Sequence, residues 1–438
     1  MLVSDTLSMH KGVQKEEAGG LLSQLTRFAF VVVWLLITID GLWTYSMVKL
    51  VGRRAVPITI LMWTVIAFAL FCSYLQRRRS LDMDPLIVGL LWAFLCYLLG
   101  ASAYHADSGG VSFFGVWFSF FLYYFYLFSE PFMRSLRPTR NSAVVAFVLV
   151  ALGVVMAIIG TAQHLLHDQF DFGRTIAVES GAFNLGFGGN IRANAFFAHS
   201  EDLGFFLSIG AALTVAWTQG GGVARRILAL PIMLVLAIGC YSTLTRSAYL
   251  CFASASFASF LLVRARENKR AHLVAAIPIL FLGCGVLLFF SRAIIEHLFA
   301  SSSVVFSSSS IEDRIYGISY YANILSGEGL FAWLFGLGWH FNGAPRAYVP
   351  IDNGFFAVVL NSGFVGLVFW LAITWMYWRR VLHRALSSSS VLQAGVAAIY
   401  STWLLLSLFG YIQIYQLMLI LGAAFYVGIP DGERIAKN

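Results

Sequence analysis

Three arginines stand in polar segments between long apolar runs: Arg192, Arg246 and Arg314. A guanidinium beside hydrocarbon is costly and usually has a partner, and its planar fork matches pairs of phosphate oxygens. If the three converge on one anionic group, a diphosphate suits them well. The alternative is that each arginine snorkels to water or pairs with a carboxylate nearby in the chain. Those carboxylates are Glu201, Asp202, Glu312 and Asp313.

Two further segments carry groups that could take a proton from a hydroxyl nucleophile. His340 ends a Gly-Leu-Gly-Trp-His stretch, and Asp352 precedes Asn353 just before the chain becomes apolar again. An imidazole or a partly desolvated carboxylate can act as a general base at neutral pH. The alternatives are that Asp352 or Asn353 only caps the following helix, and that His340 is only a hydrogen-bonded neighbour of the site. The choice of base therefore stays open between Asp352 and His340.

Weaker candidates surround these groups. His199 lies near Arg192, just before a helix whose start is marked by Ser200 as N-cap with acidic residues in its first turn. His199 and Asn353 could contact a substrate, and Tyr316 belongs to a set of aromatic side chains that could stack on sugar rings. His164 and His167 have helical spacing but lack further ligands, so the sequence predicts no metal site.

Transmembrane helices must position all of these residues. Of the 438 residues, 59% are hydrophobic and 11% charged, with a mean hydropathy of +0.78, which is more apolar surface than a soluble globule can bury. The apolar runs are continuous rather than alternating, which selects helices inside lipid. The sequence predicts an all-α polytopic transmembrane bundle with about twelve spans. They are 28–48, 56–75, 85–104, 112–129, 143–163, 202–219, 227–244, 247–263, 273–290, 360–378, 391–409 and 411–429.

The basic residues predict the orientation of these spans. Five short loops carry fifteen lysines and arginines, and the positive-inside rule places such loops in the cytoplasm. Both termini, 1–27 and 430–438, are then cytoplasmic tails of a bacterial inner-membrane protein. Lys49, Arg53 and Arg54 conflict with this orientation. Because the net charge of +8 is explained by topology, nucleic-acid binding is not expected.

The domain organisation follows from these spans. Residues 28–291 hold spans one to nine, with an outer loop near 165–201, and residues 360–429 hold spans ten to twelve. Between them, residues 292–359 form a large periplasmic loop that we expect to contain short helices. Both outer loops and the Arg246 turn fall on the same side of the membrane, so their polar residues could share one site.

The motifs between Asn190 and Leu367 resemble those of the O-antigen polymerase and ligase superfamily. Each motif alone is weak, whereas their order, spacing and topology together are specific. They are Arg192-Ala193-Asn194-Ala195-Phe196-Phe197-Ala198-His199 with Leu203-Gly204, Leu244-Thr245-Arg246-Ser247, Asp313-Arg314, Phe335-Gly336-Leu337-Gly338, Asp352-Asn353-Gly354-Phe355-Phe356 and Gly363-Phe364-Val365-Gly366-Leu367.

The resemblance implies an inverting glycosyl transfer on the periplasmic face. The donor would be a glycan linked to undecaprenyl diphosphate, and the acceptor would be a sugar hydroxyl of a second glycolipid, with no cofactor, nucleotide sugar or essential metal. It also implies that Arg192 and Arg246 hold the diphosphate, that Arg314 contributes nearby, and that the loop 292–359 is catalytic. Membrane lipids and a chain-length regulator are the further partners it implies.

One departure bears on the type of enzyme. O-antigen ligases typically carry a histidine directly before the loop-end asparagine, where this chain has Asp352, so a polysaccharide polymerase is favoured and the ligase is the alternative. A lipid-linked oligosaccharide flippase or secondary transporter is the alternative from another class. Transporters usually show two related halves and midplane sites, whereas here the polar residues crowd two outer loops. A noncatalytic subunit of an export complex is a further alternative.

Overall fold

The computed structural model describes residues 85–104, 142–166, 186–187, 190–197, 199–219, 221–267, 309–337, 354–387 and 392–406, with scattered positions between 32 and 50. Within them the chain is helical apart from one small antiparallel strand pair, which confirms the expected all-α class. The predicted spans 56–75, 112–129, 273–290 and 411–429, most of 28–48, and both tails lie outside the described residues. A total of twelve spans therefore stays a prediction.

The described helices follow the apolar runs of the sequence. They are α1 (Pro85–Tyr104), α2 (Ser142–Leu165), α3 (Ser200–Gln219), α4 (Val223–Ser242), α5 (Arg246–Glu267), α6 (Ser309–Gly327), α7 (Leu330–Phe335), α8 (Gly354–Ser387) and α9 (Leu392–Leu406). The strands β1 (Gly186–Phe187) and β2 (Asn190–Ile191) form a two-residue antiparallel pair that the sequence did not predict. A Gly-Gly connection between them is typical of a tight hairpin.

Four of the described segments are long and apolar enough to cross a membrane. These are Ala146–Leu165, Val223–Ser242, Ser247–Glu267 and Val358–His383. At 1.5 Å per residue, a helix of about 20 residues matches the hydrocarbon thickness of a bilayer. The prediction that the chain is a membrane protein with several apolar helices is thus confirmed.

Small residues bring the central helices close together. The helix α3 is buried along almost its whole length between α2, α4, α5 and α9. Gly204 of α3 faces Ala248 of α5, and Gly239 of α4 faces Ala157 of α2, both at distances that leave no room for a Cβ atom. Backbones that approach this closely gain van der Waals contact, which is the main force between helices inside lipid.

The helix α8 is longer than the predicted span 360–378 and is not continuous. It begins at Gly354, inside the predicted loop, and it is broken at Gly363, where φ is 64°. The rings of Phe355 and Trp370 have centroids 5.2 Å apart, although residues fifteen apart in a continuous helix are separated by about 22 Å. The chain therefore turns back on itself at Gly363, so a short helix precedes the long one.

A second glycine, Gly336, allows the end of α7 to pack closely against the break in α8. The Leu337 amide donates to the Leu360 carbonyl at 2.8 Å, and Gly336 has a φ of 78°. A Cβ at Gly336 would overlap the backbone around Ser362, and a Cβ at Gly363 would overlap the Leu334 carbonyl. Both positions therefore require glycine for conformation and for space.

The α1 helix ties the same junction to the bundle. The Tyr97 hydroxyl lies within hydrogen-bonding distance of the carbonyls of Phe335, at 3.2 Å, and Ser362. These carbonyls belong to α7 and to the break in α8, where a regular helical hydrogen bond is lost.

Helices α6 and α7 lie within the predicted large loop and confirm that it contains helical structure, although α6 is longer than the short helices expected there.

We expect the Gly363→Ala variant to lower the free energy of unfolding by at least about 2 kcal/mol, because the new Cβ meets the Leu334 carbonyl in a left-handed conformation. The measurement is thermal unfolding of the purified protein in detergent. Gly89→Ala is the matched control, since Gly89 is exposed on α1 with nothing within 4 Å of a new Cβ, and alanine favours the helix. Equal melting temperatures for both variants would contradict the interlocked reversal.

Candidate functional site

Two polar loops, which we call the paired loops, meet at one end of the bundle. They comprise residues 192–200, up to the first residue of α3, and residues 242–246, from the last residue of α4 to the first residue of α5. The Ala193 amide donates to the Ser242 carbonyl at 3.0 Å. The hydroxyls of Ser200 and Thr245 lie 3.1 Å apart. Backbone and side chains therefore bind the two loops into one unit.

Each paired loop contains a residue with a left-handed backbone. Ala195 has a φ of 47° and Leu244 a φ of 48°, and they are the two non-glycine residues with positive φ in the described part of the chain. Such a conformation costs roughly 1–3 kcal/mol and persists only where the surroundings enforce it. Strain of this kind concentrates at functional sites, which makes the paired loops the first place to look for one.

The surroundings that enforce the first loop centre on Gln163 of α2. Its Oε1 atom accepts hydrogen bonds from the amides of Asn194, at 3.2 Å, and Ala195, at 2.7 Å. Its Nε2 atom donates to the Ala195 carbonyl at 3.1 Å. The Asn194 side chain in turn donates to the Phe197 carbonyl at 2.8 Å. All of these groups are buried or nearly so, so the loop is held from within the protein.

Sequence reasoning missed Gln163, although a signal for it exists. An amide side chain within the apolar run of α2 has to find partners, because hydrocarbon offers none. What the sequence does not reveal is which backbone groups it satisfies. Those groups lie more than thirty residues further along the chain.

Arg192 begins the first loop and interacts electrostatically with Tyr249. Its side chain is half-buried, with the Nε atom inside the protein, and its guanidinium lies within electrostatic range of the Tyr249 phenol. The Tyr249 hydroxyl donates to the Tyr241 carbonyl at 2.8 Å, and the two rings stack with centroids 6.2 Å apart. His164 meets Tyr241 edge-on at 6.4 Å. The guanidinium is therefore within electrostatic range of a tyrosine whose ring and hydroxyl are held in place by Tyr241.

Arg246 is the first residue of α5, and its neighbours anchor it to α3. Thr245 pairs with Ser200, and the Ser247 hydroxyl is 3.5 Å from a Glu201 carboxylate oxygen. These contacts and the Ala193–Ser242 hydrogen bond place the backbones of Arg192 and Arg246 at the same end of the bundle, and the convergence of their guanidiniums stays a prediction. The Arg246 side chain itself lies outside the described part of the structure.

The other predicted residues are only partly placed. Arg314 lies on α6, which packs on α7 and α8, but its side chain is outside the described part, so its convergence with the other arginines stays a prediction. His340, Asp352 and Asn353 lie outside the described residues, and the question of the base remains a prediction with them. Tyr316 is exposed on α6 and stacks on Tyr320 with centroids 6.3 Å apart.

His199 and the acidic residues sit where the paired loops enter α3. The half-buried His199 belongs to the first loop, and its carbonyl accepts from the Leu203 amide at 3.4 Å. Glu201 and Asp202 occupy the first turn of α3 as predicted, but Ser200 is the first residue of the helix rather than its N-cap, and its hydroxyl lies against Thr245. Negative charge there complements the positive end of the helix dipole. The two carboxylates therefore help to stabilise α3, and Glu201 also lies against Ser247, the residue after Arg246.

The two ends of the bundle differ in charge. Since α3 starts at the paired loops, α4 ends there and α5 starts there, their other ends lie together at the opposite end. Gly395, near the start of α9, packs on Ala212 toward that end of α3, which brings the end of α8 there too. The basic residues of the described chain at that end include Arg225, Arg226, Arg264, Arg266 and Arg379.

The arrangement is chemically suited to an anion. A half-buried guanidinium on a rigid loop can form paired hydrogen bonds to phosphate oxygens with little loss of entropy.

Among the residues that the structure describes, no cluster of three or more histidine, cysteine, aspartate or glutamate side chains could hold a metal ion. No protein-family model and no curated protein matches this chain.

We expect the Thr245→Val variant to lower the free energy of unfolding by about 1–3 kcal/mol, because it removes a buried hydroxyl that bonds both Ser200 and the Thr243 carbonyl. Thr218→Val is the control, since that hydroxyl bonds the Val215 carbonyl of its own helix at the basic end. Chemical unfolding of both variants in detergent measures the difference. A loss for Thr218→Val as large as that for Thr245→Val would count against the joined loops.

Proposed function

We propose that the paired loops bind the diphosphate of a polyprenyl-linked glycan and that the protein transfers this glycan to a sugar hydroxyl. The observation that carries the proposal is the hydrogen bond from Ala193 to Ser242, which joins the loops that bear Arg192 and Arg246. Two guanidiniums from separate segments match a diphosphate better than a single carboxylate partner. The resemblance to the O-antigen polymerase and ligase superfamily supports the same assignment.

The proposed reaction is an inverting displacement at the anomeric carbon of the donor sugar. The acceptor hydroxyl oxygen attacks that carbon from the face opposite the diphosphate, and the bond from the carbon to the phosphate oxygen breaks. The diphosphate leaves with the bonding electron pair, and Arg192 and Arg246, with Arg314 nearby, neutralise its growing charge. Asp352 or His340 takes the hydroxyl proton. No cofactor or metal is required by this scheme.

The charge distribution supports a periplasmic site. Loops rich in lysine and arginine stay in the cytoplasm, and the basic end of the bundle is opposite to the paired loops. In the proposed orientation the protein is in the bacterial inner membrane, both termini are cytoplasmic, and the loop 292–359 is periplasmic. Two lipid-anchored substrates would then meet in one leaflet, which raises their effective concentration.

Polymerisation of lipid-linked repeat units is the proposed activity. Asp352 stands where O-antigen ligases typically have histidine, which favours a polymerase over a ligase. The two differ only in the acceptor, because a polymerase extends a second lipid-linked glycan and a ligase uses lipid A–core. A chain-length regulator is the proposed protein partner of a polymerase.

We expect Arg192→Ala and Arg246→Ala each to lower the transfer rate by about 100-fold or more, as does removal of one donor that stabilises a developing anion. The assay is purified protein in nanodiscs with an undecaprenyl-diphosphate-linked repeat unit, with and without lipid A–core. Arg225→Ala is the matched control at the basic end, where Arg225 stacks over Trp217. Normal product ladders from the Arg246→Ala variant would contradict the proposal, and transfer to lipid A–core alone would identify a ligase.

The proposed orientation predicts which positions an impermeant maleimide reaches in a variant without native cysteines. Cysteine at Tyr316, which is exposed on α6, should be labelled once the outer membrane is permeabilised. Cysteine at Gly222, which is exposed between α3 and α4, should be labelled only after the inner membrane is also opened. The reverse pattern would place the paired loops in the cytoplasm and rule out the proposed transfer.

A further inference from the structure

The Gln163 amide is an unusual group to find inside α2. It is 2% exposed and lies within the segment Ala146–Leu165, which is apolar enough to cross a membrane. A buried amide without partners costs several kcal/mol in hydrocarbon, so it persists only when its hydrogen bonds are made. At Gln163 they are made to the loop that carries Arg192, rather than to the backbone of its own helix.

We infer that Gln163 is a positioning residue of the proposed diphosphate site, holding the Arg192 loop in the conformation that binds the donor. The inference rests on the proposed function, and it deepens it by naming a group that acts without touching the substrate. The side-chain hydrogen bonds of Gln163 all go to Asn194 and Ala195 of the first paired loop. Its effect on the donor therefore passes through the loop backbone.

The hydrogen bonds show how this positioning works. The amides of Asn194 and Ala195 converge on one oxygen, as successive amides do in an anion-binding nest. The Gln163 oxygen occupies this nest and holds Ala195 in its left-handed conformation. The Ala193 amide, next to Arg192, donates to the Ser242 carbonyl and fixes the same loop at a second point. The backbone directly after Arg192 is thus fixed twice, at Ala193 and at Asn194–Ala195, so that the Arg192 side chain is carried by a segment of defined conformation.

The choice of an amide rather than a carboxylate follows from the charge of the ligand. A glutamate at 163 would keep the accepting oxygen and the length of the side chain, but it would lose the donor to the Ala195 carbonyl. It would also place a negative charge near Arg192, where it would compete with the diphosphate for the guanidinium. Gln163→Glu should therefore weaken donor binding more than it weakens the fold.

The test compares Gln163→Leu, Gln163→Glu and the control Thr161→Val in nanodiscs. Thr161 lies on the same helix, and its hydroxyl bonds the Ala157 carbonyl one turn away. Three quantities are measured: the Kd for undecaprenyl diphosphate from tryptophan fluorescence, hydrogen exchange of the peptide 190–199, and the melting temperature. We expect the Kd to rise at least tenfold in both Gln163 variants, with faster exchange in that peptide and unchanged exchange in α3 and α5. Thr161→Val should match the wild type.

The outcomes separate this inference from the proposed function. If the wild-type protein fails to bind undecaprenyl diphosphate, the proposed function falls and the inference falls with it. If the wild type binds but both variants bind equally well, only the role of Gln163 is overturned. A lower melting temperature with an unchanged Kd would show that Gln163 is purely structural. Should Gln163→Leu fail to fold, Gln163→Glu decides the question, because it keeps the side chain's size and its acceptor.

Discussion

Backbone amides and carbonyls that lie outside a helix and away from water must find partners inside the protein, because lipid supplies none. The first paired loop meets this constraint through Gln163, which serves one carbonyl and two amides, and through the Ser242 carbonyl. Once these partners are fixed, the loop has little freedom left. The left-handed conformation of Ala195 is then a consequence of the anchoring, and so is the course of the backbone that carries Arg192.

A second anchor secures the outer helices to the bundle. Gly336 and Gly363 each leave room for the backbone of the other's segment, and the Tyr97 hydroxyl lies against the carbonyls at the same junction. This junction connects α7, which belongs to the predicted catalytic loop, with the break in α8. The segment with Asp352 directly precedes the short helix that packs back against Trp370. The short helix at the start of α8 is therefore held both against the longer part of α8 and against α7.

The sequence predicts those features that depend on local pattern. Continuous apolar runs predict the helices, and acidic residues after His199 predict where α3 starts. It does not predict features that depend on contacts between distant segments, such as the pairing of Gln163 with Asn194 or the interlock of the two glycines. A glycine in an apolar run is compatible with close helix packing, as at Gly204, and with a broken helix, as at Gly363. Only the packed neighbours distinguish these cases.

The proposed chemistry depends on two guanidiniums that reach one phosphorylated head group from separate loops. A cryo-electron microscopy structure of the protein in nanodiscs with an undecaprenyl diphosphate analogue tests this most directly. The account predicts phosphate oxygens about 2.7–2.9 Å from guanidinium nitrogens of both Arg192 and Arg246, at the end opposite Arg225. A diphosphate bound at the basic end, or one that touches neither arginine, would contradict it.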